Sequence, residues 1–249
     1  MKNRIFSKSS MRRGHASSVL HVVIDCIVSI RTVAGASDDA AGCAVVLEVA
    51  RALAAGPALR RGLVLLLNGA EENLLQAAHA WAGGHRWARG VAAFVNVEAC
   101  GAGGREVLFQ AGPRRAAALL RAYSRAPRPR ASSLAQELFR SGLLPAETDF
   151  RVLRDRGGLA GLDLAWSDNG YVYHTALDRD VPLAALQHTG DNVLALVREL
   201  LRSAELEGEV GDAGDEDVAF FDVLGLGVLV VGRAGAAAAL LGGLALLGR

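Results

Sequence analysis

The chain reads as an α/β protein: a mainly parallel central sheet flanked by helices, followed by a C-terminal apolar membrane segment. Three observations carry this reading. Short apolar runs at 63–67, 91–97 and 162–166 are closed by turn or polar residues, as buried strands of a parallel sheet are. Segments before and after them, notably 43–55 and 183–202, carry apolar residues at helical spacing. Strands alternating with helices imply helices layered on a mainly parallel sheet, and 249 residues suffice for one core plus an appendage.

In chain order, 22–30 is β-branched and strand-like, and 35–42 (GASDDAAG) is a turn. Helix 43–55 has Val45, Val46, Val49, Ala50 and Leu53 on one stripe and stops at Gly56-Pro57. The stretch 62–73, GLVLLLNGAEEN, organises the rest. Its run 63–67 predicts a strand buried on both faces, and Glu71 and Glu72 stand just past its carboxyl end, where open α/β sheets hold their ligand crevice. A helix over 74–81 ends at Gly83-Gly84. The strand 91–97 is then closed by Glu98 and the glycine-rich 101–104.

A short strand at 107–110 precedes helix 113–126, which carries Arg114, Arg115, Arg121 and Arg125. Tyr123 is its one aromatic residue, so this is a solvated basic face and no nucleic-acid partner is expected. Helix 134–141, strand 162–166 and the polar turn 167–170 lead to YVYHTALDRD at 171–180. The amphipathic helix 183–202 closes the domain on Leu186, Val193, Leu194, Val197 and Leu201.

Basic and acidic side chains number 27 and 26, a formal charge of +1 that points to neither nucleic acid nor an acidic substrate. Cys26, Cys43 and Cys100 include no CxxC pair, so they form neither a disulfide framework nor a structural zinc site. The apolar run 19–30 is broken by His21 and Asp25 and lacks a signal-peptide core. Residues 204–217 form an acidic, glycine-containing linker. Residues 218–249 are assigned to a membrane segment, because 223–248 is uncharged except at Arg233 and exceeds the ~20 residues a spanning helix needs. Two other readings of this stretch are a span starting after Arg233 and a hairpin of the soluble domain.

The chemistry-bearing residues fall at turns and strand ends: Asp38-Asp39, Glu71-Glu72, Glu98 and His174. Taken singly, each has an ordinary reading: Asp38 as a helix cap, Glu71 and Glu72 as helix-start acids, Glu98 as a strand-end acid, His174 as a loop histidine. Together, carboxylates and one imidazole suit zinc, whose catalytic sites keep about three protein ligands and one open position.

The ordered motifs GASDDAAG, NGAEEN, NVEACGAGG and NGYVYHTALD resemble the zinc aminopeptidase family, in particular its membrane branch, the endoplasmic reticulum metallopeptidases. The likeness runs over 35–200 and continues through FFDVLGL at 220–226. It implies an α/β exopeptidase domain over 35–203 that hydrolyses a peptide or protein substrate. It also implies a lumenal position on the endoplasmic reticulum membrane, with lipid as a partner of the C-terminal segment. By resemblance Asp38 bridges two zinc ions, Glu71 is the general base, Glu72 and His174 complete one metal site, and Glu98 ligates the other.

This chain departs from the family upstream, where an HxDS motif would supply a histidine to the second zinc. Here the stretch reads DCIVSIRTVAGASDD, with Cys26 at about the histidine's place, and 1–34 is an atypical N-terminal segment. One zinc set (Asp38, Glu72, His174) survives whole; the other (Asp38, Glu98 and the missing histidine) does not. The surviving set also suits a glutaminyl-cyclase-like single-zinc enzyme, and the missing histidine suits an inactive, membrane-tethered pseudo-peptidase.

Overall fold

The computed structural model describes residues 21–28, 35–144, 147–207 and 218–232, with positions 235 and 238. Five strands form one sheet: β1 (His21–Val28), β2 (Gly62–Gly69), β3 (Val91–Ala99), β4 (Val107–Gly112) and β5 (Gly161–Trp166). Their order is β2-β1-β3-β5-β4; all neighbours run parallel except β4, which pairs antiparallel with β5 at the edge. The mainly parallel α/β class predicted from the alternating periods is the class observed.

Helices cover both faces. On one side lie α1 (Gly42–Ala54), α3 (Ala116–Tyr123) and α6 (Leu183–Arg202), and the short α4 (Leu134–Arg140) follows α3 in the chain. Val46, Val49, Leu119, Leu120, Val193 and Leu200 meet the β3 residues Ala93, Val95 and Val97 in the main core. On the other side α2 (Gln76–Gly84) and α5 (Asp149–Asp155) close a smaller cluster of Val64, Trp81, Phe94, Phe150 and Leu153. The strand alternation sends Asn96 and Glu98 to the side of Phe94, opposite Val95 and Val97. The thinner apolar layer therefore covers the polar side chains.

Several expectations shift. β2 is an edge strand among the described residues, so its apolar run is not buried on both faces: only Val64 and Asn68 are buried and Leu67 is 48% exposed. The buried strands are the interior β5, throughout, and β3 from Ala92 on. Helix α5 went unpredicted, being seven residues rich in arginine. On α6, Leu196 and Leu200 are buried while Leu186 and Leu194 are only partly so.

The C-terminal assignment needs a larger correction. The proposed membrane segment 218–249 begins with an antiparallel hairpin, β6 (Val218–Asp222) and β7 (Val228–Gly232). Phe220 is fully buried, the Ser133 amide donates to the Phe220 carbonyl at 2.9 Å, and Asp222 takes the Ala131 amide at 3.1 Å and the Arg130 guanidinium at 3.2 Å. These ties make 218–232 part of the folded domain, so no membrane helix starts at 223. Among the described residues no helix is long and apolar enough to cross a membrane. The rest of 233–249, the alternative start after Arg233, and most of the linker, 208–217, lie outside the described residues, positions 235 and 238 excepted.

Candidate metal centre

Three loops at the carboxyl ends of the parallel strands build the site. The first is the turn 36–41, where the backbone leaves helical values at Asp38 and Asp39 before α1 begins. Gly42 leaves the room that the Asp39 carboxylate occupies, because a Cβ there would sit 2.3 Å from Asp39 Oδ1 and displace it. The Gly42 amide donates to that same oxygen at 3.2 Å.

The second loop follows β2. Ala70, Leu74 and Leu75 all adopt positive φ (58°, 69° and 56°), bracketing Glu71 and Glu72. Left-handed non-glycine residues cost on the order of 1 kcal/mol or more each and concentrate where a loop must aim side chains. This strained turn also delays helix α2 to Gln76, past the 74 expected from apolar spacing.

The third loop, 167–180, carries His174, itself at φ 56° with its ring stacked on Tyr173 at 3.8 Å. Its root is pressed onto the glycine-rich loop after β3: a Cβ on Gly101 would lie 2.3 Å from the Asp168 carbonyl oxygen. Asp178, fully buried, accepts from the Ser37 amide (2.9 Å), Ser37 Oγ (2.7 Å) and the Asp38 amide (3.2 Å). That bracket holds the third loop against the first.

Together these loops bring Asp38, Glu72 and His174 to one point. His174 Nε2 lies 3.1 Å from Asp38 Oδ2 and 2.8 Å from Glu72 Oε1, and one donor atom from each residue falls within 4.8 Å of the others. Asp38 is buried while the His174 side chain is 46% exposed, so the trio opens to solvent on the histidine side.

Electrostatics around the trio run strongly one way. Burial, with the negative charges of Glu72 and Asp178, pushes Asp38 up to about 7 against the pull of His174. Burial also pushes the half-buried Glu71 up to about 8, aided by Glu72, Asp149, Asp38 and Asp163. Glu98, 6% exposed, is raised well above the usual carboxyl range by burial and by Asp163, Asp39, Glu71 and Asp149.

Beneath Glu98 lies a polar ladder across the sheet. Asn96 Nδ2 donates at 3.0 Å both to Glu98 Oε1 and to Asp163 Oδ1. Asp163 also accepts from Gln110 Nε2 at 2.9 Å and Thr148 Oγ1 at 2.6 Å, yet burial still raises it to about 7. Asp149, which accepts from Asn68 Nδ2, is raised by burial to about 6 and leaves Oδ1 buried without a partner.

Two carboxylates and an imidazole converging at this range, in a field of acids with no lysine or arginine in the trio, are a donor set that fits zinc. Burial first, and then mutual repulsion, raises Asp38, Glu71 and Glu98, and a divalent cation among these carboxyls would favour their ionised forms. The sequence-predicted site residues thus divide. Asp38, Glu72 and His174 meet, and Glu71 stands beside them. Glu98 is not in the trio; it accepts a hydrogen bond from Asn96. Cys26 lies in β1 in register with Leu67 and Val97, one position short of Asn68 and Glu98.

Sequence reasoning missed Asp178, Asn96, Asp149 and Asp163. Asp178 closes the YHTALD motif, and an acid inside the apolar strand LDLAW was the available signal for Asp163.

A mainly parallel sheet with such a trio at its strand ends defines an α/β domain with a candidate metal centre, and its family can be stated. The chain belongs to peptidase family M28, whose family model matches residues 13–197. It is 47% identical over 205 residues to rat endoplasmic reticulum metallopeptidase 1 (81% of this chain, 23% of that protein). To the putative endoplasmic reticulum metallopeptidase 1-A of Caenorhabditis elegans it is 45% identical over 195 residues (77% and 22%). The chain therefore spans less than a quarter of the length of these relatives.

Among solved structures, a zinc aminopeptidase from Bacillus subtilis superposes with TM-score 0.58 at 17% identity (81% of this chain, 52% of that chain). An Acidobacteriales bacterium glutaminyl cyclase superposes with TM-score 0.53 at 18% identity (74% and 72%). At those identities the likeness is one of fold.

Proposed function

We propose that this chain carries the catalytic domain, over 35–203, of a zinc-dependent exopeptidase of the metallo-aminopeptidase type, acting on peptide or protein substrates. The observation that carries this reading is the convergence of Asp38, Glu72 and His174 with Glu71 alongside. Asp38, Glu72 and His174 would hold the metal, whose Lewis acidity activates water and polarises a carbonyl. Glu71 is the base: its carboxylate accepts a proton from the attacking water and returns it to the leaving amine nitrogen. Asp178 keeps the two metal-holding loops in register, and the exposed side of His174 is where the substrate enters.

Glu98 would serve a second metal only with a further ligand from upstream, which HxDS supplies in the family and Cys26 replaces here. The endoplasmic reticulum naming of the relatives and the apolar sequence 234–248 support a lumenal domain tethered to that membrane. A single-zinc glutaminyl-cyclase-like transferase is the second reading, favoured by the trio that excludes Glu98. In the pseudo-peptidase reading the same trio binds metal without turnover.

Zinc counting combined with assays of peptide hydrolysis and of N-terminal glutamine cyclisation separates the three. The division of labour is tested by Glu71→Gln, expected to keep zinc and lose about 10²- to 10⁴-fold in turnover. Glu72→Gln should release zinc. Full activity of Glu71→Gln, or equal zinc loss from both variants, sinks the assignment.

A further inference from the structure

The β6–β7 hairpin is apolar on both sides. Its inner side is accounted for: Phe220 enters the core, and Val228 and Val230 pack on it. On the outer side Phe221 and Leu229 form a cross-strand pair, each 47% exposed. The connecting loop then adds Val223 at 47%, Leu224 at 83% and Leu226 at 84%. An antiparallel ribbon lying on a domain ordinarily turns polar side chains outward; this one turns apolar side chains outward as well as inward.

The loop is also fixed in shape. The Val223 amide donates to the Gly227 carbonyl and the Leu226 amide to the Val223 carbonyl, both at 2.9 Å, and the Gly225 amide donates to Asp222 Oδ2 at 2.9 Å. Leu224 sits at φ 53°, where turns ordinarily place glycine, asparagine or aspartate. The domain thus holds a leucine in a disfavoured conformation at a position where it buries almost nothing. Contiguous exposed apolar surface of this kind marks a contact with another phase or another molecule.

We propose that the outer face of this hairpin lies on a lipid bilayer, with Phe221, Leu229, Leu224 and Leu226 seated in the interfacial layer. The occupant follows from the sequence: β7 ends at Gly232, Arg233 follows, and 234–248 contains only alanine, glycine and leucine. The strand carrying Leu229 leads directly into that stretch, so once it enters a membrane the hairpin is held at the surface. Five residues of strand extend about 17 Å, which lets a ribbon lying flat touch the bilayer along its whole outer face. Arg233 at the exit suits the phosphate layer. The contact would fix how the mouth of the metal centre faces the membrane. It rests on the reading that the C-terminal stretch enters lipid.

The test uses the full chain reconstituted in phosphatidylcholine–phosphatidylserine vesicles, carrying Leu226→Trp or, separately, Leu229→Trp. The unsubstituted chain, with its three tryptophans, sets the baseline. Emission from each introduced indole should shift to the blue on vesicles and be quenched by brominated acyl chains beyond that baseline. Vesicle-bound chain with both indoles unquenched overturns the hairpin contact and leaves the membrane reading standing. Blue-shifted emission already present without lipid, and no quenching on vesicles, shows that protein covers the face and also overturns it. Failure of the unsubstituted chain to sediment with vesicles removes the membrane reading itself, and this inference with it.

Discussion

Asp178 and Ser37 are joined by two hydrogen bonds to one carboxylate oxygen, from the Ser37 amide at 2.9 Å and from Ser37 Oγ at 2.7 Å. A third, from the Asp38 amide at 3.2 Å to the other oxygen, makes Asp178 the clamp between the loop of Asp38 and the loop of His174. The clamp is buried and its hydrogen bonds go to Ser37 and to the Asp38 amide, so it holds the two loops at their separation while its charge helps raise Asp38.

Asp178→Ala should therefore lower zinc affinity by roughly 10- to 100-fold, as loss of partners behind metal ligands does. Chelator competition reads this directly. The unmet Ser37 and Asp38 donors should add about 1–3 kcal/mol of destabilisation. Unchanged zinc affinity in a folded variant would remove the clamp from the account.

Asn96 supports a different pair. Its Nδ2 is shared between Glu98 and Asp163, two buried acids, and the Asp163 charge adds to the cost of ionising Glu98. Asn96→Leu keeps the volume and deletes the shared donor. The urea midpoint should fall by an amount equivalent to about 1–3 kcal/mol, while zinc affinity at Asp38, Glu72 and His174 stays unchanged. A midpoint equal to that of the parent protein would show that the ladder is not structural.

Much of this was legible in the sequence because it was written in periodicity. The interior strands β3 and β5 and the long helices α1 and α6 follow from apolar spacing alone. The trio followed from motifs whose acids and histidine fall in turns. Three things were hidden. Whether a strand is central or at an edge is a matter of sheet order, so LVLLL looked like an interior strand and lies at the margin. Buried polar residues such as Asn96, Asp163 and Asp178 are identified by their partners, which lie tens of residues away. The apolar stretch from 223 read as lipid-soluble, and 218–222 was assigned with it, because composition does not separate a β hairpin from the start of a membrane helix.

Glu106 gives a pH signature remote from the metal centre. It is 1% exposed on the loop before β4 and accepts from Thr189 Oγ1 at 2.7 Å and from Asn192 Nδ2, both on α6. His188 of α6 (3.4 Å) and Tyr123 of α3 (3.5 Å) also face it. Burial outweighs these donors and raises Glu106 to about 7. A carboxyl whose folded pKa exceeds its unfolded value keeps its proton longer in the native state, so its contribution is full below about pH 4.5 and is lost as pH rises to about 7. Stability should fall across that window by up to roughly 3 kcal/mol from this group. Glu106→Gln should flatten the slope in denaturation measured at several pH values. An unchanged slope would place the proton elsewhere.

The last prediction concerns the second metal. β1 brings Cys26 into register with Val97, one position from Glu98, at the same end of the sheet as the trio. The segment reads CIVS at 26–29, so Cys26→His with Val28→Asp converts it to an HxDS sequence without changing its length. Imidazole and carboxylate are ordinary zinc donors, and burial holds the Glu98 and Asp38 carboxyls towards their protonated forms, which a second cation would favour ionising. The double variant should therefore bind two zinc ions per chain where the parent binds one, as counted by metal analysis after exhaustive dialysis. Adding Glu98→Gln should return the count to one, because the amide is a weaker donor than the carboxylate. A count that stays at one in the double variant, with the trio's zinc still bound, would show that position 26 does not reach Glu98, and Glu98 would then be a structural acid of the Asn96 ladder alone.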